Sequence, residues 1–321
     1  MPAPRTARTA AKAMVSEALD VLAAERKQRA AAEARLKAQP EARPKRGAAS
    51  AAASASTRTA SRAKPGPSRR ASAGTLVAEG DSWFDYPFND VLKMLELEHA
   101  YDIESVARRG DTLESMAYGE GQLAALGSRI EKVLKRGEAL RGVLLSGGGN
   151  DIAGAEFAML LNHARSRRTG LNERVVAGVI DERLAEASTL LLDTVTGLTR
   201  ALRPGAPVPI VVHGYDYPVA DGRGFAGGFW ILPGPWLAPG LRQKGYDPIA
   251  EGAPVLKALI DRFNAMLAGL VAQPKYAHVR FVDLRGTLQG RPHRDWWADE
   301  LHPSKRGFRT VAQKFAEALR P

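Results

Sequence analysis

A hydroxyl, an imidazole and a carboxylate occur in this sequence in settings that suit acyl transfer. Ser82 lies in Glu79-Gly80-Asp81-Ser82-Trp83, directly after Thr75-Leu76-Val77-Ala78, an apolar and partly β-branched run that reads as a buried strand. Behind it come Tyr86-Pro87 and a helical pattern carrying Val91, Leu92, Leu95 and Leu97. A serine at such a strand-to-helix junction stands at the carboxyl end of a sheet, where open α/β folds bind their ligands. Near the other end of the chain, Asp299-Glu300-Leu301-His302-Pro303 puts a carboxylate three positions before a histidine, close enough to meet its ring on one turn. The residues read as a nucleophile, Ser82, a general base, His302, and an orienting acid, Asp299. The other histidines (His99, His163, His213, His278 and His293) lack a carboxylate in that arrangement and read as surface or satisfied core residues.

Acyl transfer also needs donors aimed at the developing oxyanion, supplied by backbone N–H groups at tight glycine turns or by a side-chain amide. Two stretches qualify: Arg109-Gly110-Asp111, after the second candidate strand, and Ser146-Gly147-Gly148-Gly149-Asn150-Asp151, after the third. The glycine triplet could also cradle a phosphate. No Lys-Ser/Thr follows it, however, and its spacing fits neither the P-loop nor the dinucleotide fingerprint. Asp85, Asp151 and Asp216, also near strand ends, read as helix caps and turn formers. His293, Asp295, Asp299 and His302 could be drawn as a metal cluster. Without cysteine or a His-Glu-x-x-His spacing the serine triad is preferred, so neither metal nor other cofactor is expected.

Taken together, Gly80-Asp81-Ser82, Gly110, Gly148-Gly149-Asn150-Asp151 and Asp299-Glu300-Leu301-His302-Pro303 resemble, in order, the four sequence blocks of the SGNH (GDSL-type) hydrolases. The resemblance covers about residues 75 to 320, with Trp83 where the name-giving motif has Leu. It implies a flavodoxin-like, three-layer α/β fold with a five-stranded parallel sheet in the order 2-1-3-4-5. It also implies the roles read above for Ser82, His302 and Asp299. An oxyanion hole would be formed by the backbone N–H groups of Ser82 and Gly110 and the side chain of Asn150. In some relatives a backbone carbonyl orients the histidine, which leaves Asp299 and a carbonyl as alternatives here.

The elements that must position these groups are legible between them. Candidate strands are Thr75–Ala78, Asp102–Val106, Gly142–Leu145, Pro209–Val212 and Val279–Val282; helical patterns are Val91–His99, Gly121–Arg136, Val175–Leu202 and Val255–Val271. Strands alternating with helices argue for a parallel sheet covered on both faces. The segment 214–247 breaks the rhythm. It is rich in Gly and Pro and holds Tyr215, Tyr217, Phe225, Phe229, Trp230, Trp236 and Tyr246, seven of the 21 aromatic residues. So long a connection inside a domain is functional or disordered, and its aromatic content argues for function. It feeds off the fourth strand over the rim that carries Ser82. Tyr215, Phe229, Trp230, Trp236 and, from the stretch before Asp299, Trp297 are therefore candidates for the wall of an acyl or alcohol pocket, against the plainer reading of a small core under a long loop.

Charge divides the chain. Of 46 Lys+Arg and 35 Asp+Glu, residues 1–72 hold 16 and 5, leaving 30 of each in the remainder. Residues 1–73 therefore form a basic leader, and 74–321 the hydrolase-like domain. From 10 to 39 the leader is rich in Ala, Glu, Lys and Arg and reads as a solvated helix with an apolar patch from Met14 to Leu22. Its heptad seam of Val15, Leu22 and Leu36 is broken at Arg29. From Pro40 to Ser72 almost nothing can be buried, and disorder is expected. The leader reads as a solubilising tail in preference to a tether for nucleic acid or another polyanion. With no aromatic residue before Trp83, such a tether could act through charge alone. No signal-peptide h-region or membrane-length apolar run occurs, and the lack of cysteine fits a reducing compartment. A cytoplasmic protein is expected, with a mitochondrial transit peptide as the alternative for the Arg-rich start. The functional reading is a serine ester hydrolase acting on an acetylated sugar, a lipid or a small ester. The competing reading is a glycan- or lipid-binding protein of the same fold, tethered by its leader.

Overall fold

The computed structural model describes residues 5–38, 71–119, 121–154, 156–227 and 233–320. In chain order its elements are α1 (Arg5–Ala38), β1 (Gly74–Gly80), α2 (Val91–His99), β2 (Tyr101–Ser105), α3 (Leu113–Tyr118), α4 (Gln122–Lys135), β3 (Leu140–Ser146), α5 (Gly149–Ile152), α6 (Glu173–Val176), α7 (Ala185–Leu202), β4 (Ile210–His213), α8 (Ala238–Gln243), α9 (Gly252–Val271), β5 (Val279–Val282) and α10 (Lys305–Ala318). A π-helical stretch, Ala177–Leu184, joins α6 to α7.

All five strands read from the sequence are present, and they pair in parallel in the order β2-β1-β3-β4-β5. Successive residues of the central strands point to opposite faces, and both faces are covered. Leu76, Val77 and Ala78 of β1 and Val143, Leu144 and Leu145 of β3 are accordingly all buried. This explains why these strands read as continuous apolar runs, not as alternating ones. Helices α2 and α10 cover one face, and α4, α7 and α9 the other. The register sets Ala78 opposite Ser105 and Gly80 opposite Ser146, so β1, β2 and β3 end along one rim. Side-chain caps fix the starts of the helices that leave or approach this rim: Asp90 for α2, Thr112 for α3 and Ser304 for α10.

Helix α1 is where the fold departs most from expectation. The apolar patch read as solvated is docked: Ala11, Ala18 and Leu22 are buried against α4 and α7. Two glycines make the seat. A Cβ on Gly197 of α7 would stand 2.8 Å from Val15 Cγ2, and one on Gly127 of α4 would stand 3.0 Å from Leu22 Cδ1. The groove belongs to other helices, so nothing within α1 itself announces it. Of the segment expected to be disordered, Pro40 to Ser72, residues 40–70 lie outside the described residues.

Candidate active site

Ser82 sits in a tight turn at the end of β1 that its neighbour holds in place. Asp81, 1% exposed, accepts a hydrogen bond from Trp83 N at 2.9 Å, and its carbonyl accepts from Phe84 N and Asp85 N, both at 3.1 Å. The same carboxylate accepts from Tyr215 Oη at 2.6 Å and from Ser146 Oγ at 2.7 Å; Ser146 Oγ lies 2.8 Å from His213 Nε2, and His213 Nδ1 lies 2.7 Å from Gly214 O. Asp81, Ser146, His213 and Tyr215 thus form a buried polar cluster beneath Ser82, drawn from the ends of β1, β3 and β4. Burial pushes the His213 imidazole below its usual range. Trp83, where the resemblance has Leu, donates from Nε1 to Leu301 O at 3.1 Å and so ties the serine turn to the loop carrying the histidine.

That loop is closed on itself before α10 begins. Trp297 pairs with Pro303 in an antiparallel bridge, Ala298 N donates to His302 O at 2.8 Å, and Ser304 caps α10. The closure points His302 Nε2 at Ser82 Oγ, 2.8 Å away, while Nδ1 lies 2.9 and 3.0 Å from the two Asp299 oxygens. Asp299 is fully buried and also accepts from Leu301 N, His302 N and Tyr86 Oη, at 2.9, 2.8 and 2.8 Å. Burial alone would raise the Asp299 carboxyl, but the His302 ring, the Leu301 N–H and the Tyr86 hydroxyl outweigh it and hold it below the ordinary carboxylate range. An ionised Asp299 takes the Nδ1 proton as its partner, which leaves the Nε2 lone pair facing the Ser82 hydroxyl. Of the two orienting groups considered, the carboxylate is the one in contact.

Tyr86 was not singled out from the sequence. Its ring stacks on His302 with centroids 4.2 Å apart and planes at 23°, and burial next to the Asp299 charge keeps its hydroxyl protonated far above neutrality. Trp236 also meets the imidazole, with centroids 5.5 Å apart and planes at 76°. Two aromatic rings therefore contact His302.

The expected oxyanion donors converge on the same opening. Gly110 has φ +86 with nothing within 4 Å of where its Cβ would be, so conformation, not crowding, requires glycine there. Among the described residues neither Ser82 N–H nor Gly110 N–H has an acceptor. Asn150 Nδ2 donates to Asp111 O at 2.8 Å, which fixes the amide beside the Gly110 loop. Asp85 accepts from Arg109 N at 3.1 Å and joins that loop to the serine turn, while Asp151 accepts from Leu113 N and Asp216 from Tyr217 N and Gly286 N. The glycine triplet is a packing device, not a cradle: a Cβ on Gly147 would stand 2.3 Å from Met116 Cε, and one on Gly148, at φ +106, 2.3 Å from Phe263 Cζ. Among the described residues no group of three or more His, Asp or Glu side chains is arranged to hold a metal, and no helix is long and apolar enough to cross a membrane.

Ser82, His302, Gly110 and Asn150 border a cleft of about 380 Å³ whose flat walls are Tyr86, Phe225 and Trp236. A second cavity, of about 50 Å³, also borders Ser82 and Asn150 but not His302. Of the expected pocket aromatics, Trp236 lines the cleft. Tyr215 and Trp297 are 5% and 1% exposed and stand below it, bordering the small cavity, with their polar tips bound to Asp81 and to Leu288 O. Phe229 and Trp230 lie outside the described residues.

The long insertion is anchored by a residue the sequence reading passed over. Glu300, fully buried between Asp299 and His302 in sequence, accepts from Gly222 N and Ala238 N on Oε1 (2.9 and 3.2 Å) and from Trp236 N and Leu237 N on Oε2 (2.6 and 2.7 Å). One carboxylate thus gathers both ends of the segment that carries Phe225 and Trp236. Burial raises its pKa against the opposing effect of these N–H groups. No periodicity or motif points to such a residue, because its partners are scattered backbone groups.

No family model and no curated protein matches the chain. Among solved structures, the lipase Lip_vut3 from a goat rumen metagenome superimposes with a TM-score of 0.50 at 14% identity, over 76% of this chain and 96% of that one. The extracellular lipase of Streptomyces rimosus aligns over 77% of this chain and 100% of its own, with 17% identity and a TM-score of 0.47. A member of the lipolytic G-D-S-L family from Veillonella parvula aligns over 76% and 96%, with 16% identity and a TM-score of 0.38. At such identities the likeness is one of fold.

Proposed function

We propose that this chain, which has the SGNH hydrolase fold, is a serine ester hydrolase working through an acyl-enzyme. The observation that carries the reading is the unbroken line from Ser82 Oγ to His302 Nε2 (2.8 Å) and from His302 Nδ1 to Asp299 (2.9 Å), opening on a cleft that Gly110 and Asn150 also line. In the first half-reaction the Ser82 hydroxyl proton moves to His302 Nε2 as Oγ bonds to the ester carbonyl carbon. The carbonyl oxygen becomes an oxyanion facing the Ser82 and Gly110 N–H groups and the free hydrogen of the Asn150 amide. Collapse breaks the bond to the alcohol oxygen, which leaves with the proton from Nε2. In the second half, water gives a proton to Nε2 and its oxygen bonds to the acyl carbon. Ser82 Oγ departs, regains that proton, and a carboxylic acid is released. Asp299 stays ionised throughout and stabilises the imidazolium between the two steps.

The test is hydrolysis of p-nitrophenyl acetate together with labelling by a fluorophosphonate. The full chain is expected to turn over the ester and to carry the label on Ser82, and Ser82→Ala to lose both. A chain that takes no label and hydrolyses no simple ester overturns the reading.

A further inference from the structure

We infer that the two openings flanking Ser82 divide the substrate between them, with a short acyl group of about two to four carbons in the small cavity and a bulky, ring-bearing alcohol in the large cleft. This rests on the esterase reading above and gives it a substrate class.

The direction of the division follows from where the leaving proton must come from. The alcohol oxygen departs by taking the proton on His302 Nε2, so it has to lie on the side of Ser82 that faces the imidazole. His302 is part of the wall of the 380 Å³ cleft and not of the 50 Å³ cavity. The alcohol therefore occupies the cleft, and the acyl chain points away from His302. Asn150 and Ser82 border both spaces. A carbonyl held between them keeps its oxygen at the donors whichever group fills each side. The reverse placement would send the leaving oxygen away from its only proton source.

Size and chemistry then define each half. A dry cavity of about 150 Å³ accepts benzene; the space beside Ser82 is about 50 Å³, enough for a few carbons only. Its walls include the buried aliphatic side chains Ile152, Leu237, Leu256 and Leu259. The two carboxylates that border it are already engaged, Asp81 by Trp83 N and Tyr215 Oη, and Asp216 by Tyr217 N and Gly286 N. The acyl group it takes is accordingly uncharged and apolar. The cleft has the volume of a small-molecule site. Tyr86, Phe225 and Trp236 give it flat faces suited to stacking on a sugar or aromatic ring, with the exposed Arg109 at its edge.

Two substrate series test this on the full chain. With p-nitrophenol as the constant alcohol, kcat/KM is expected to be highest among acetate, propionate and butyrate and to drop at least about 10-fold at hexanoate, the cost of a methylene that does not fit. Ala153→Leu, which fills the small cavity, should lower butyrate relative to acetate. Leu259→Ala, which widens it, should raise hexanoate relative to acetate. With acetate as the constant acyl group, Trp236→Ala should lower 2-naphthyl acetate by about 10-fold more than ethyl acetate, the loss of a stacking face. Wild-type preference for octanoate over acetate, or ratios unmoved by both cavity variants, would overturn the division. Titration with a small fluorophosphonate separates the two failures. A labelled Ser82 with a long-chain preference defeats the division alone, whereas an unlabelled, inert chain defeats the esterase reading itself.

Discussion

Replacing Glu300 by Gln removes one of the two oxygens that hold Gly222 and residues 236–238 against the loop carrying His302. Gln can place its single oxygen where Oε2 now accepts from Trp236 N and Leu237 N, the shorter pair. Its amide nitrogen then faces Gly222 N and Ala238 N, donor against donor. Two N–H groups lose their acceptor, at about 1–3 kcal/mol each, and the two surviving bonds lose the charge that strengthened them. The local loss is about 3–6 kcal/mol, comparable with the whole stability of a marginal domain. The cheaper response is release of the segment, with water reaching the freed N–H groups, before the sheet itself unfolds. Glu300→Gln should therefore keep fluorophosphonate labelling of Ser82 and most of its thermal stability, yet exchange the 222–238 amides faster by mass-resolved hydrogen exchange. It should also lose about 10-fold or more in kcat/KM on 2-naphthyl acetate, because Phe225 and Trp236 ride on that segment. Unchanged exchange and unchanged kcat/KM would mean the four contacts hold nothing that the rest of the insertion does not already hold.

Other consequences can be checked in the same preparation. Asn150→Ala should slow turnover about 100-fold or more without unfolding the domain, as loss of an oxyanion donor does; normal turnover would remove Asn150 from the site. Tyr86→Phe keeps the ring on His302 but takes one donor from Asp299, and should cut kcat by about 10-fold, corresponding to one hydrogen bond to a charge. If kcat is unaffected, the stacking and not the hydroxyl is what matters. Glu79 is 1% exposed with no partner on Oε2 among the described residues, and burial lifts its pKa from 4.5 to about 8. Between those two values the folded chain holds a proton that the unfolded chain has released, so stability should fall as pH rises from about 5 to 8, by an amount on the order of 4 kcal/mol. Glu79→Gln should flatten that fall in urea unfolding followed across pH, and parallel curves for the two chains would refute it.

The fold was legible because the central strands are short, apolar and doubly covered, so Leu76-Val77-Ala78 and Val143-Leu144-Leu145 announce themselves without any pairing information. Ser82, His302 and Asp299 were legible for a different reason: each stands at a strand end or in a three-residue spacing that local geometry alone can close. What escaped depends on contacts across the chain. Tyr86 gains its role from Asp299, and Glu300 from Gly222 and residues 236–238. Helix α1 is seated by glycines in α4 and α7. Aromatic count alone could not sort the pocket candidates either. Tyr215 and Trp297 are drawn inward by partners for their polar tips, whereas Trp236, held through its backbone by Glu300, turns its ring to the opening.

The polar cluster beneath the serine turn has an arithmetic of its own. Ser146 owns one hydroxyl hydrogen but touches two acceptors, an Asp81 oxygen and His213 Nε2, while Nδ1 needs its own hydrogen for Gly214 O. Burial drives the His213 ring towards its neutral form, so the Asp81 oxygen and Nε2 compete for that single hydrogen. The Ser146 hydroxyl serves one of them at a time, and turning it from one to the other takes rotation about a single bond. Either choice leaves the heavy atoms that anchor Ser82 where they are, so the floor of the serine turn tolerates two hydrogen-bond directions in one geometry.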